Sequence, residues 1–144
     1  MLTLAILKPD AIESALGGNI IALLEAAGFR IKAARLLRLS DSEARAFYAV
    51  HRERPFFQSL VAYMTSGPCM PLVLERDNAV AHLREVIGAT DPAEAKEGTV
   101  RRLYAESKER NAIHASDSPD NAVNEVAFFF PHAELSRIWG AELR

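Results

Sequence analysis

The residues best suited to carry chemistry lie in one polar segment, residues 111–118, which contains His114. Histidine titrates near neutral pH and can act as a nucleophile, so it suits a proton-transfer or phosphoryl-transfer step. Ser118 and Pro119 form a helix-start signal, and Glu125 follows Ser118 by seven residues, about two turns later on the same face. We therefore predict that the Glu125 carboxylate reaches back toward His114. Spacing alone nevertheless favours a plainer interpretation, an ordinary polar loop whose short side chains bond their own backbone.

Three basic residues are candidates for a second kind of chemistry, the binding of phosphate groups. Lys8 ends the first apolar segment, Arg84 lies on a predicted helix, and Arg101 follows a long predicted loop. A solvated surface position is the more common fate of any single Lys or Arg. If the three converge with Thr90 beside His114, however, they form a phosphate clamp of charge-assisted hydrogen bonds.

Composition and charge exclude several other classes of protein. The chain has 144 residues, of which 49% are hydrophobic and 25% charged, as is typical of one soluble globular domain. No apolar segment approaches the ~20 residues that span a bilayer, and the N-terminus lacks the pattern of a signal peptide. A net charge of −2 gives no overall attraction to nucleic acid or membrane. The single cysteine, Cys69, excludes an intrachain disulfide and fits a reducing cytoplasm.

Well-known nucleotide and metal motifs are missing from the sequence. It contains neither the glycine-lysine loop of the P-loop enzymes nor the glycine-rich turn of dinucleotide-binding folds. It also lacks the paired-histidine zinc motif and the nucleophile elbow of the hydrolases. A nucleotide site in this chain would therefore have to be of another kind, and the four dispersed histidines argue against a structural metal site.

Hydrophobic periodicity predicts the elements that must position these residues. Strands are predicted at 2–7, 30–39, 70–75 and 126–130, the first of them apolar enough to be buried on both faces. Helices are predicted between them, with starts at Ser40, Pro55, Asp77 and Ser118, and with Gly28 and Gly88 as stop signals. The resulting βαββαβ order predicts an α+β sandwich of the ferredoxin-like type, with an antiparallel four-stranded sheet and added helices.

Seven short segments, in order along nearly the whole chain, carry a more specific signal than any one of them alone. They are LKPDA (7–11), FYAVH (47–51), RPFF (54–57), TSGP (65–68), GATDP (88–92), GTVR (98–101) and NAIHASDS (111–118). With these segments the chain resembles the nucleoside diphosphate kinases over residues 1–144, as a single domain. The resemblance implies transfer of the γ-phosphate from a nucleoside triphosphate such as ATP to a nucleoside diphosphate, in two half-reactions through a phosphohistidine.

The resemblance also implies a role for each site residue. His114 would be the nucleophile, with Glu125 bonding it directly or through Ser116 and with Tyr48 close by. Arg84, Thr90 and Arg101 would bind the β- and γ-phosphates, while Lys8 and Asn111 would hold the ribose hydroxyls. Phe56, with Leu60 beside it, would stack on the base. Phe56 lies off the apolar helical face that contains Phe57, which favours binding over core packing, whereas Tyr48 and Leu60 also suit packing.

The implied cofactor is Mg²⁺, carried by the nucleotide phosphates with no ligand from the protein. The family assembles from dimers into tetramers or hexamers, so a homo-oligomer in the cytoplasm is expected, with residues 131–144 in the region where assemblies differ. The slightly acidic balance argues against nucleic acid as a partner. The alternative function is a nucleotide-binding sensor or scaffold of the same fold with low turnover, which would have no need of His114.

The chain departs from the family pattern at two positions. Ala115 stands where the family usually has glycine, and it would strain the histidine segment only if its φ were positive. Arg102 also stands where glycine is common, and its cation would either add phosphate affinity or face water. Neither change removes a chemical group that the reaction needs.

Overall fold

The sheet lies at the centre of the structure, a computed structural model that describes residues 1–140. Its strands are β1 (Leu2–Leu7), β2 (Arg30–Ala34), β3 (Met70–Glu75) and β4 (Ile113–Ala115). The spatial order is β2-β3-β1-β4, and every neighbouring pair is antiparallel. This arrangement confirms the predicted α+β fold with a βαββαβ order.

Helices cover both faces of the sheet. Over residues 1–140 they are α1 (Pro9–Glu13), α2 (Gly17–Ala26), α3 (Asp41–Phe47), α4 (Phe57–Met64), α5 (Ala79–Ile87), α6 (Val100–Tyr104), α7 (Pro119–Phe129) and α8 (His132–Trp139), with a 3₁₀ turn at Ala49–His51. No helix within these residues is long and apolar enough to cross a membrane.

Two apolar cores lie on opposite faces of the sheet because side chains alternate along a strand. On one face Leu4 and Ile6 of β1 pack in the same cluster as residues of α3, α4 and α7. On the other face Ala5 and Leu7 of β1 pack with residues of α2 and α5. All four β1 side chains are fully buried, as predicted for a central strand. The buried strand β1 therefore fixes the position of Lys8, the residue that directly follows it.

Several helix boundaries follow from the predicted capping signals. Ser40 and Glu43 form a reciprocal capping box at the start of α3. The Ser118 hydroxyl accepts a hydrogen bond from the Asn121 N–H (3.1 Å), and Pro119 is the first residue of α7. The predicted start at Asp77 is wrong, since Asn78, in the left-handed region with φ +52°, precedes the first residue of α5.

The prediction of a strand at residues 126–130 is also wrong, because α7 continues through Phe129. Short apolar runs fit either state, and here the buried residues Ala122, Val126 and Phe129 are spaced as one helical face. The fourth strand is instead the three-residue β4, inside the polar segment that was predicted as a loop. His114 is consequently held by sheet hydrogen bonding, opposite Ile6 of β1.

The C-terminal region contains α8, which no strong sequence signal predicted. The indole N–H of Trp139 donates to the carbonyl of Lys32 on β2, and the Lys32 ammonium lies 3.7 Å from the Trp139 ring centroid. This contact packs α8 against the edge strand of the sheet. Residues 141–144, part of the segment 131–144 for which differences in assembly were expected, lie outside the described residues.

Candidate active site

A cavity of about 590 Å³ opens beside the end of β1 and contains His114. Its size is that of a typical small-molecule site. Ten of the residues predicted from the sequence line it: Lys8, Tyr48, Phe56, Leu60, Arg84, Thr90, Arg101, Asn111, His114 and Glu125. Ser116, the remaining one, is buried and contacts Glu125 instead.

His114 lies at the meeting point of β4 and α7. Its Nε2 is 2.8 Å from Oε1 of Glu125, and the same oxygen accepts a hydrogen bond from the Ser116 hydroxyl at 2.7 Å. A carboxylate accepts only, so Nε2 carries the proton and the neutral ring keeps its lone pair on Nδ1. The rings of Phe47 and Tyr48 meet the imidazole edge-on, with centroids 5.3 and 5.9 Å away. The histidine is therefore held in one tautomer and one orientation.

The environment of His114 also favours the neutral imidazole. Burial lowers the pKa of His114 below its ordinary value, and the charges of Lys8 and Arg101 act in the same direction. The hydrogen bond and charge of Glu125 oppose them, but the net shift is downward. A neutral ring is the form that can attack an electrophile, so this imidazole is chemically suited to act as a nucleophile.

Lys8 supplies a buried cation at the end of β1. Its Nζ donates to Oδ1 of Asn111 (2.7 Å), and the Asn111 amide donates to the carbonyl of Thr90 (3.3 Å). Burial, together with the charge of Arg101, lowers the pKa of Lys8 from 10.5 to about 8. Lys8 is thus charged at neutral pH but lies close to its titration range, as is common at functional sites.

Two guanidinium groups complete the basic end of the cavity. Arg101 is buried, and it donates to the carbonyls of Gly88 (3.0 Å) and Ile113 (2.8 Å), while its Nε has no partner among residues 1–140. Burial and the charge of Arg84 lower the pKa of Arg101 to about 10, so it stays charged. Arg84 is exposed, and its side-chain hydrogen bonding to residues 1–140 is limited to a 3.4 Å contact with the Ala115 carbonyl. One cation is therefore fixed, and the other is free to meet a ligand.

The opposite part of the cavity is apolar and aromatic. Phe56 immediately precedes α4 and is 47% exposed, an unusual state for a phenylalanine. Leu60, one turn later, lines the cavity and also belongs to the core. Its predicted packing role is confirmed, and its contact with a base stays a prediction. The His51 ring lies 5.5 Å from that of Phe56. A flat ligand group can therefore stack on the exposed face of Phe56 while a charged group reaches the cations.

The two departures from the family pattern have simple structural explanations. Ala115 is part of β4, paired with Ala5, and it is not among the positive-φ residues of the described chain. Alanine therefore causes no backbone strain there. Arg102 is exposed, with Nη1 3.5 and 3.4 Å from the carbonyls of Pro92 and Ala93, and it does not line the cavity. Its cation contacts the preceding loop instead of the site.

Sequence analysis missed several cavity residues, which are Phe47, Val50, His51, Lys108, Glu109, Asp117 and Asn121. Asp117 lies within the polar segment 111–118 around His114, and this position in the sequence could have identified it as a site residue. A hydrogen bond from Asn121, together with the charge of Arg84, lowers the pKa of Asp117. Asp117 is therefore an ionised carboxylate beside the basic end of the cavity.

A neutral, oriented histidine next to three cations and an aromatic platform is the arrangement of a nucleotide-dependent phosphotransferase. The nucleoside diphosphate kinase family model matches residues 2–135. The chain is 56% identical to the nucleoside diphosphate kinase of Chlorobaculum tepidum, over 94% of this chain and 97% of that protein. It is 55% identical to the enzyme of Campylobacter hominis, over 92% and 97%.

Solved structures agree with these relatives. The Aquifex aeolicus nucleoside diphosphate kinase superposes with a TM-score of 0.90 at 46% identity, covering 92% of this chain and 96% of that one. The Halobacterium salinarum enzyme in complex with CDP gives 0.89 at 35% identity, covering 93% and 90%. The chain therefore belongs to the nucleoside diphosphate kinase family, and its activity is that of a phosphotransferase acting on nucleoside phosphates.

Kinase reactions generally use a divalent metal ion. Within residues 1–140 no three His, Cys, Asp or Glu side chains are grouped closely enough to hold a metal ion. Mg²⁺ is commonly bound through one or two carboxylates together with substrate phosphates. The cavity is lined by the carboxylates of Glu109, Asp117 and Glu125, and its cations suit the phosphates of a nucleotide that would carry the metal ion.

Proposed function

We propose that His114 is the phosphate-accepting nucleophile of a two-step transfer. The Nδ1 lone pair attacks the γ-phosphorus of a nucleoside triphosphate, the bond to the bridging oxygen breaks, and the nucleoside diphosphate leaves with that electron pair. A terminal β-phosphate oxygen of a second nucleoside diphosphate then attacks the phosphohistidine and regenerates the neutral ring. The observation that carries this proposal is the 2.8 Å contact between Nε2 and Glu125, which leaves Nδ1 as the free nitrogen.

The basic residues stabilise charge on the transferring group. Arg84, Thr90 and Arg101 bind the β- and γ-phosphates, where Arg101 is pre-positioned by its two carbonyl partners. Lys8 and Asn111, already bonded to each other, hold the ribose hydroxyls. Tyr48 orients the imidazole by packing edge-on against it. Ser116 acts through Glu125, whose Oε1 accepts a hydrogen bond from the Ser116 hydroxyl.

Phe56 and Leu60 receive the base by stacking and apolar contact. Stacking uses the π-face that every base possesses, so the site accepts purines and pyrimidines alike. Mg²⁺ bound to the nucleotide phosphates would neutralise their charge and align them, and it would need no ligand from the protein. The two base-binding residues and the phosphate clamp thus hold opposite ends of the same nucleotide.

The chain acts as one domain and assembles as a cytoplasmic homo-oligomer, a tetramer or hexamer built from dimers. The family relationship supports this assembly, and light scattering on a size-exclusion column measures it directly. Net charge −2 argues against nucleic acid as a main partner.

The decisive experiment incubates the protein with γ-labelled ATP and Mg²⁺ beside a His114→Ala control. We expect acid-labile, base-stable label on the wild type only, removed by added GDP or CDP. The alternative function, a sensor or scaffold of low turnover, predicts nucleotide binding without label. That second result would overturn the assignment of His114.

A further inference from the structure

The backbone immediately before His114 adopts a conformation that L residues rarely take. Ala112 has φ +72° and is fully buried, and the Ile113 N–H donates to the Asn111 carbonyl at 2.8 Å. A three-residue turn with positive φ at its centre is a strained γ-turn. Because β4 begins at Ile113, this turn sets the direction in which the strand leaves the cavity wall and presents His114.

Both polar backbone groups of Ala112 are tied to the junction between β1 and α1. The Ala112 carbonyl accepts from the N–H of Lys8 at 2.9 Å, and the Ala112 N–H donates to Oδ2 of Asp10 at 3.0 Å. Asp10 is 3% exposed, so its carboxylate is buried. A buried carboxylate needs hydrogen bonds to offset its desolvation, and Oδ2 of Asp10 obtains one of them from the N–H of the strained residue Ala112.

Tyr63 of α4 fixes the other half of the Asp10 carboxylate. The Tyr63 hydroxyl donates to Oδ1 of Asp10 and accepts from the backbone N–H of the same residue at 3.0 Å. The Tyr63 hydroxyl thus makes two hydrogen bonds to Asp10, here termed the clasp, and they prevent rotation of the Asp10 side chain. Neither Asp10 nor Tyr63 lines the cavity, so neither is placed to touch a nucleotide.

We propose that Asp10, clasped by Tyr63, is a positioning residue that holds the strained turn at Ala112 and thereby sets the position of His114 for attack. The proposal rests on the proposed role of His114 as nucleophile. This role differs from a general structural one because Asp10 affects the position of His114 through a single strained residue, Ala112. Replacing that residue with one that accepts positive φ removes the need for the clasp.

The test therefore combines Tyr63→Phe with Ala112→Gly. Tyr63→Phe keeps the buried ring and removes only the hydroxyl, whereas Ala112→Gly lets the turn form without strain. The measured quantities are the single-turnover rate of His114 labelling from γ-labelled MgATP and the dissociation constant of ADP. Tyr104→Phe is the matched control, since Tyr104 is half-buried on α6 and belongs to neither the cavity nor the turn.

We expect Tyr63→Phe to slow labelling about tenfold, because small misplacements of reacting groups cost rate, while ADP binding changes less than about twofold. The double variant Tyr63→Phe/Ala112→Gly should recover most of that loss, and Tyr104→Phe should label like wild type. If Tyr63→Phe labels at the wild-type rate, or if Ala112→Gly restores nothing, the positioning role is refuted.

Substitutions of Asp10 keep the test decisive should Tyr63→Phe fail to fold. Asp10→Asn retains an acceptor for Ala112 and a polar contact for Tyr63, so at pH 7 it should label within about threefold of wild type. Asp10→Ala loses the acceptor and should label far more slowly unless Ala112→Gly is added. Equal behaviour of the two Asp10 variants would overturn the inference. Absence of label on wild-type His114 would instead refute the proposed function, so the two failures are distinguishable.

Discussion

Glu125 Oε1 lies 2.8 Å from Nε2 of His114, and this contact joins the middle of α7 to the short strand β4. The carboxylate determines which ring nitrogen carries the proton and which one faces the cavity. In the proposed transfer, positive charge develops on the ring as the Nδ1 lone pair is donated to phosphorus. Glu125 would then both orient the imidazole and stabilise the charge that forms on it.

Glu125→Gln is predicted to reduce the rate of His114 phosphorylation by about tenfold to a hundredfold, because the amide oxygen still accepts from Nε2 but brings no negative charge. The measurement is single-turnover labelling from γ-labelled MgATP at saturating concentration. Ser116→Ala is the control, since it removes one partner of Glu125 and leaves the direct contact intact. A larger loss in Ser116→Ala than in Glu125→Gln would contradict this account.

The activity is predicted to decline as pH rises above about 8, the value to which burial and Arg101 lower the pKa of Lys8. Lys8 is charged below that pH and neutral above it, so the cation is lost on the alkaline side. The decline should appear in kcat/KM, which reports the ionisation of the free enzyme. It should be weaker in kcat, because a bound anionic nucleotide favours the charged form of Lys8. Steady-state profiles from pH 6 to 10 with GDP as acceptor measure it.

Lys8→Arg provides the control for this pH dependence. Arginine stays charged throughout the range, so the variant should lose the alkaline decline even if its overall activity is lower. An alkaline decline that persists unchanged in Lys8→Arg would show that another group is responsible. Asp10 raises the pKa of Lys8, so Asp10→Asn should move the decline to lower pH.

The sequence allowed prediction of the fold type and of the pairing between His114 and Glu125 because both depend on local patterns. The two residues are close in the chain, and a capped helix start lies between them. The sequence did not reveal that His114 lies on a strand, because β4 has only three residues and its register is set by pairing with β1. Asp10, although part of the LKPDA segment, received no predicted role for a related reason, because its partners Tyr63 and Ala112 are 53 and 102 residues away along the chain.

Arg101 and Arg102 are adjacent in the sequence, but their substitution is predicted to have opposite consequences. Arg101→Lys removes the guanidinium group that donates to two backbone carbonyls. The remaining cation should stabilise the transferring phosphate less well, so kcat should drop about a hundredfold. Arg102→Lys, the matched control, removes only long contacts to an exposed loop and should leave kcat within about twofold of wild type. Steady-state kinetics of both variants decide the matter, and a comparable loss in Arg102→Lys would place its cation in the reaction.

Phe56→Ala is predicted to weaken binding of every nucleotide by a similar amount, because stacking on the exposed ring does not depend on which base is bound. Base–aromatic stacking is worth about 1–3 kcal/mol, which corresponds to a rise in KM of roughly fivefold to 150-fold with little change in kcat. The KM values for ADP, GDP and CDP measure the effect.

Two controls separate the loss of stacking from other effects of Phe56→Ala. A ribose triphosphate that lacks a base should serve wild type and Phe56→Ala equally well as donor, since it has nothing to stack. Phe128→Ala removes another exposed aromatic, 41% accessible and outside the cavity, and should leave all KM values unchanged. A rise in KM for one base only would mean that Phe56 reads base identity, which contradicts a platform that accepts any base.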